Sequence, residues 1–212
     1  MEWKPLAKGL AHAVLQEGMT AFRIDLAEND LVPVEGKPLA TVDALARGRG
    51  ALLAVNGGFF DAQGRPMGLL VSKGRILSRL RRVEWGVLAV DREGRATVVH
   101  AKQWAATTGT LRFAIEAGPR LVVDGKPLTF KPQVARRTAL GVLPGGRALV
   151  LVVTSTGLST AALAELFAKR LGCPFALNLD GGSSTQLVSP LAGVPRISGK
   201  PVANAVLVLP RR

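Results

Sequence analysis

The sequence predicts an α+β fold: one large mixed, mostly antiparallel β-sheet with two or three helices. Three observations carry that prediction. Short apolar, β-rich runs recur along the 212 residues, punctuated by Gly and Pro. Two neighbouring pairs of runs are joined only by turn chemistry, Asp91-Arg-Glu-Gly94 and Pro144-Gly145-Gly146, which is hairpin spacing. Helical periodicity, by contrast, shows clearly in only two segments.

Taken in order, strands are expected at 21–26, 52–55, 68–71, 87–90, 96–99, 120–123, 138–142, 148–153, 175–179 and 203–209. The stronger helix is 159–171, with Leu163, Leu166, Phe167 and Leu171 on one face. Ser159 supplies its N-cap, and Gly172 with Pro174 stops it. The shorter helix, 41–47, turns Val42, Leu45 and Ala46 inward. Without a fixed-period repeat or a low-complexity linker, residues 1–212 read as one domain.

Bulk composition narrows the function. A hydrophobic content of 48% against 20% charged residues describes a packed globule and not a disordered chain. No apolar run approaches the roughly 18 residues of a membrane span. Residues 1–20 lack the continuous apolar core of a secretory leader, so an exported parent would carry its leader outside this sequence. The single Cys173, between a helix end and Pro174, is expected to be a buried structural thiol. The net charge of +13 raises the question of nucleic acid. Yet the 28 basic residues are dispersed, and 5% aromatics with no Tyr offer no stacking platform. A diffuse basic surface suits an anionic substrate or polymer better than specific nucleic-acid reading.

Chemistry concentrates in two stretches of similar design. Asn178-Leu179-Asp180-Gly181-Gly182-Ser183-Ser184-Thr185 follows an apolar strand, and Asn56-Gly57-Gly58-Phe59-Phe60-Asp61 follows another. Glycines let backbone approach a ligand closely, while the flanking polar residues supply donors and acceptors. The two are expected to form two walls of one site. His12 and His100 lie among apolar neighbours and are expected to be structural or surface residues. No G-x-S-x-G elbow and no Walker loop is present. Acid–base work therefore falls to carboxylates, Asp61 and Asp180 first and Glu116 third. The plainer role for each Asp is turn chemistry beside Gly, as expected for Asp124-Gly125. Arg120 and Arg137 enter apolar strands, where a cation needs an anionic partner. Phosphate oxygens, or a buried carboxylate such as Asp61 or Asp180, would serve.

Four motifs in order, Asn56-Gly-Gly-Phe-Phe-Asp61, Gly118-Pro119-Arg120-Leu121, Arg137-Thr138-Ala139-Leu140-Gly141 and Asn178-Leu-Asp180-Gly-Gly-Ser-Ser184, resemble the phosphodiester glycosidase family. The likeness runs from 3–9 to 202–206. It implies a hydrolase that removes an N-acetylglucosamine-like sugar from a sugar-1-phosphodiester or a related envelope polysaccharide. Asp180 and Asp61 would be catalytic. Asn56, Gly57, Gly58, Arg120, Arg137, Thr138, Asn178, Gly181, Gly182, Ser183 and Ser184 would bind a phosphate-bearing small molecule or polysaccharide. An exported, periplasmic or extracellular setting would follow. Two positions depart from the family pattern: Ser183 replaces a glycine, and Lys200 stands where Arg is common, with Arg196 near enough to compensate. No metal site or cofactor is predicted. The oxygen donors of Asn56, Asp61, Asn178 and Asp180 would suit a hard cation such as calcium. Two rival readings remain, a non-catalytic carbohydrate- or anionic-polymer-binding protein on the same fold and a basic nucleic-acid-binding domain. In the second of these the Gly-Gly-Asp motifs have no role.

Overall fold

The computed structural model of the chain describes residues 1–105 and 108–211. The amino-terminal half contains β1 (Lys4–Ala7), β2 (Leu10–Gln16), β3 (Met19–Asp25), β4 (Asn29–Ala40), α1 (Val42–Ala46), β5 (Leu53–Asn56), β6 (Leu70–Ser72), β7 (Arg75–Ser78), β8 (Gly86–Asp91) and β9 (Ala96–His100). Then follow β10 (Leu111–Ala117), β11 (Arg120–Val123), β12 (Lys126–Pro127), β13 (Val134–Ala135), β14 (Thr138–Val142), β15 (Ala148–Thr154) and β16 (Leu158–Ser159). Helix α2 (Thr160–Glu165), β17 (Phe175–Asn178), β18 (Leu187–Val188) and β19 (Val202–Pro210) complete the chain.

An eight-stranded sheet, in the order β1-β2-β3-β15-β14-β17-β11-β12, forms the centre. A five-stranded sheet (β7-β6-β10-β8-β9), a four-stranded sheet (β18-β5-β19-β4) and the ribbon β13-β16 accompany it. Strand pairings among the described residues are antiparallel. The fold is α+β, as the sequence predicts.

Both faces of the central sheet are buried, which explains the unbroken apolar run of β15. Leu149, Leu151 and Val153 point into one core, together with residues of the five- and four-stranded sheets such as Phe113, Leu88, Val55 and Val206. Val150 and Val152 point the other way, under Leu163, Leu166 and Phe167 of the helical segment. A strand buried on both faces need not alternate. Helix α2 starts where expected: the Ala162 N–H donates to Ser159 Oγ at 3.0 Å. Beyond Glu165 the chain runs on as a π-helical turn, Leu166–Arg170, with the Leu171 N–H on the Leu166 carbonyl. Gly141 leaves room for this packing, since a Cβ there would sit 2.6 Å from Phe167 and 2.7 Å from Cys173 Sγ.

Several strands were not predicted, and for two of them the physical reason is plain. β4 holds Pro33, Gly36 and Pro38, which argue against a strand interior; it lies at a sheet edge, pairing with β19 alone, where prolines are tolerated. β10 carries Arg112 and Glu116, yet it is the middle strand of its sheet. Glu116 is 1% exposed and is satisfied on one oxygen by the Leu69 and Arg81 N–H groups, at 2.8 and 2.9 Å. Burial pushes its carboxyl above the ordinary range.

Candidate active site

The two glycine motifs meet. β5 ends at Asn56 and β17 ends two residues before Asp180. The Asp180 N–H donates to the Gly57 carbonyl at 3.1 Å, and Asn56 Nδ2 donates to the Asp180 carbonyl at 2.7 Å. Asn204, on the adjacent strand β19, clasps the first motif from behind. Its carbonyl and Oδ1 accept the Gly57 and Gly58 N–H groups at 3.0 and 2.7 Å. Gly57 is obligatory here because a Cβ would lie 2.0 Å from Asn204 Oδ1. In the second motif a Cβ on Gly181 would lie 2.7 Å from the Arg136 carbonyl, and Gly182 has a positive φ of 61°. Arg136 fastens that turn through Nε to the Gly182 carbonyl at 3.0 Å.

Beside this junction opens a cleft of about 690 Å³, walled by Phe59, Trp85, Pro119, Arg137, Asn178 and Asp180 among others. Three polar groups define its chemistry. Desolvation raises the Asp180 carboxyl above the ordinary carboxylate range, opposed by hydrogen bonds from the Ser184 hydroxyl and the Gly181 N–H. Arg137 is only 4% exposed, and its guanidinium donates to the backbone carbonyls of Leu158 and Gln133. No carboxylate among the described residues pairs with it, so it is a buried cation without a counter-ion. Asn178 Nδ2 is spent on the Gly118 and Leu179 carbonyls, at 3.0 and 2.6 Å, while its Oδ1 is buried with no partner. An apolar wall stands opposite: Phe59 and Trp85 have ring centroids 4.9 Å apart at a 48° tilt.

Of the residues predicted from sequence, Arg137, Asn178, Asp180, Gly181 and Gly182 line this cleft. The others do not. Asn56 is 0% exposed, with Oδ1 taken by the Thr138 hydroxyl (2.7 Å) and the Gln186 N–H (3.2 Å). Asn56 and Thr138 thus form part of the hydrogen-bonded floor beneath the two motifs. Gly57 and Gly58 are likewise buried against Asn204 and Glu116. Asp61 follows the plainer role: its Oδ1 accepts from the Gln63 and Arg65 N–H groups, and its Oδ2 pairs with Arg65 Nε at 2.7 Å. Those bonds from Arg65 hold its carboxyl below the usual range. Arg120 lays its stem over Gly86, where a Cβ would come within 2.6 Å of its Cγ, and is absent from the cleft wall. Ser183 and Ser184 line a second, adjoining cleft of about 870 Å³. The two departures from the family pattern are neighbours there, with the Lys200 N–H on the Ser183 carbonyl at 2.8 Å. Arg196 does not join them, because it pairs with Asp43 at 3.2 Å.

Sequence reasoning passed over Phe59, Phe60, Met67, Glu84, Trp85, Gln133 and Ala135, which complete the wall. The doubled Phe inside the first motif was the available signal for two of them. His12 stacks on Phe22 and bonds Thr20, and burial lowers its pKa. His100 caps a 3-10 turn and contacts Glu84 at 2.9 Å. Cys173 is buried, its thiol pushed up to about 12. Among the described residues no three His, Cys, Asp or Glu gather as a cation cluster. Of the four oxygen donors considered for calcium, only Asn178 and Asp180 face the cleft.

No curated protein sequence matches this chain. Solved structures do. The zebrafish N-acetylglucosamine-1-phosphodiester alpha-N-acetylglucosaminidase catalytic domain, auto-inhibited by its pro-peptide, aligns with a TM-score of 0.70 at 18% identity, covering 95% of this chain and 82% of that one. A hypothetical protein from Synechocystis aligns at 0.67 and 18% identity, covering 96% and 62% of the two chains. A Burkholderia pseudomallei K96243 protein assigned to export aligns at 0.64 and 18%, covering 91% and 74%. At such identities these likenesses describe a shared fold. The sequence model of the phosphodiester glycosidases matches residues 49–209, a span that includes every residue of the cleft wall, and the chain belongs to that family.

Proposed function

We propose that the cleft hydrolyses a glycosyl phosphodiester, with an N-acetylglucosamine-like sugar as the group released. The observation that carries this reading is the pairing, in one cleft, of a counter-ion-free buried guanidinium with a carboxyl of raised proton affinity. Arg137 would bind the phosphodiester anion and, as the bond breaks, the phosphomonoester leaving group. Phe59 with Trp85 would cover an apolar sugar face.

In the step itself water attacks the anomeric carbon and gives its proton to Asp180. The bond from that carbon to the bridging oxygen breaks, and its electron pair leaves on the phosphate. A phosphate leaving group needs charge stabilisation more than protonation, so the carboxyl serves best as a base. Its raised proton affinity makes it a stronger one. The name of the zebrafish relative supports the sugar. The export assigned to the Burkholderia relative supports an envelope setting, with residues 1–212 acting as one catalytic domain.

The test is turnover of an N-acetylglucosamine-1-phosphodiester. Asp180→Asn is expected to lower kcat by about 10²- to 10⁴-fold, while Asp61→Asn retains most of it. Wild-type kcat in Asp180→Asn would overturn the assignment. Binding without turnover in the unsubstituted protein would instead favour a carbohydrate-binding role.

A further inference from the structure

The larger cleft of about 870 Å³ abuts the first, since Phe60 lines both. The partition is the short turn after Asp180: Gly182 faces the catalytic cleft and Ser183 the larger one. Ser184 bridges them, lining the larger cleft while hydrogen-bonding the Asp180 carboxyl. The two clefts therefore adjoin at Phe60 and at the 182–184 turn.

Charge says what that ligand is. The described residues lining the larger cleft include Lys37, Arg65 and Lys200 and no carboxylate. Lys37 pairs with Glu35 at 2.7 Å and Arg65 with Asp61 at 2.7 Å, but their side chains remain 66% and 72% exposed. Ion pairs whose cation reaches solvent contribute little net stabilisation, which leaves both cations within reach of a ligand anion. Lys200 makes no ion pair among the described residues. Between the cations, Pro38, Leu39 and Phe60 supply apolar surface for the carbon faces of sugar rings.

We infer that this second cleft is a subsite for an anionic sugar chain on the aglycone side of the phosphodiester, so that the substrate is a polyanionic glycan carrying further negative charges beyond the cleaved bond. The inference rests on the proposed hydrolysis. It also gives Asp61 a positioning part: its carboxylate closes the 61–65 turn that presents Arg65 to the larger cleft.

Two measurements separate this inference from the function on which it rests. Binding is read first, by calorimetry on Asp180→Asn with a glycerol-phosphate oligomer as the polyanionic probe. Adding Lys37→Glu and Lys200→Glu together is expected to weaken that binding at least about tenfold, and unchanged binding overturns the subsite whether or not any turnover exists. Kinetics follow, with three glycosyl phosphodiesters whose aglycones are a methyl group, an uncharged oligosaccharide and a phosphorylated oligosaccharide of equal length. The phosphorylated substrate is expected to show the highest kcat/KM, and the double substitution to cut its advantage over the methyl ester about tenfold. Equal gains from the charged and uncharged chains would overturn charge recognition. Failure to cleave all three would sink the hydrolysis alone and leave the binding result to decide the subsite.

Discussion

Asp180 and Asn56 show how little residue type decides. Both belong to an Asn/Gly-Gly motif at a strand end, yet one faces a cleft and the other is sealed within the hydrogen bonds that hold the motifs together. The raised Asp180 pKa has two consequences with worked signs. As a base the carboxyl must be ionised, so the acid limb of the kcat/KM profile is expected above the roughly 3.9 of an ordinary Asp. A pH profile that breaks at an unshifted value would contradict that. The folded protein also holds this proton more tightly than the unfolded chain does. Its contribution to stability is complete below the unfolded pKa and is lost as pH rises through the folded one. Asp180→Asn is thus expected to raise Tm at neutral pH while it lowers turnover, with the Tm gain vanishing near pH 3. Thermal melts across that range would check it, and a Tm drop at neutral pH would count against it.

At the scale of elements, the site is a junction between sheets. β5 and β19 run side by side with Ala205 opposite Asn56, which brings Asn204 onto the Gly57-Gly58 backbone. β14 and β17 pair so that Ala139 meets Asn178, placing Arg137 and Asp180 at the same sheet end. Gly57→Ala tests the clasp. A methyl 2.0 Å from Asn204 Oδ1 forces the Asn204 side chain or the turn to shift, and overpacking of this order costs about 1–3 kcal/mol. Chemical denaturation is expected to show that loss, and an unaltered midpoint would mean that the clasp is slack. The strands that carry the motifs were readable because apolar runs end in Gly, Asn or Asp. Edge strand β4 was not, because its prolines signal a loop until one sees that only β19 needs its hydrogen bonds.

Over the whole molecule, the +13 charge is spread widely, and only where the fold gathers Lys37, Arg65 and Lys200 from distant parts of the chain does it become local. Such exposed charges act over a Debye length of about 8 Å at physiological ionic strength. Raising salt from about 0.05 to 0.5 M should therefore lower kcat/KM on a polyanionic substrate by about tenfold and hardly alter it on an uncharged-chain diester. Stopped assays at graded salt would reveal the difference, and parallel curves would remove the field from the account. Much was legible beforehand: the α+β class, both helices, the strands beside the motifs, and the family. Those rest on local patterns, the period of apolar residues and the turn chemistry at strand ends. What the chain order alone left open was which of Asp61 and Asp180 faces the cleft, which of two Asn side chains keeps an unbonded oxygen, and which of Arg120 and Arg137 lines the cleft. Each of these depends on partners far along the chain, Thr138 and Gln186 for Asn56, Leu158 for Arg137. Burial and hydrogen-bond satisfaction are properties of the packed whole, and only the tertiary structure brings those partners within reach.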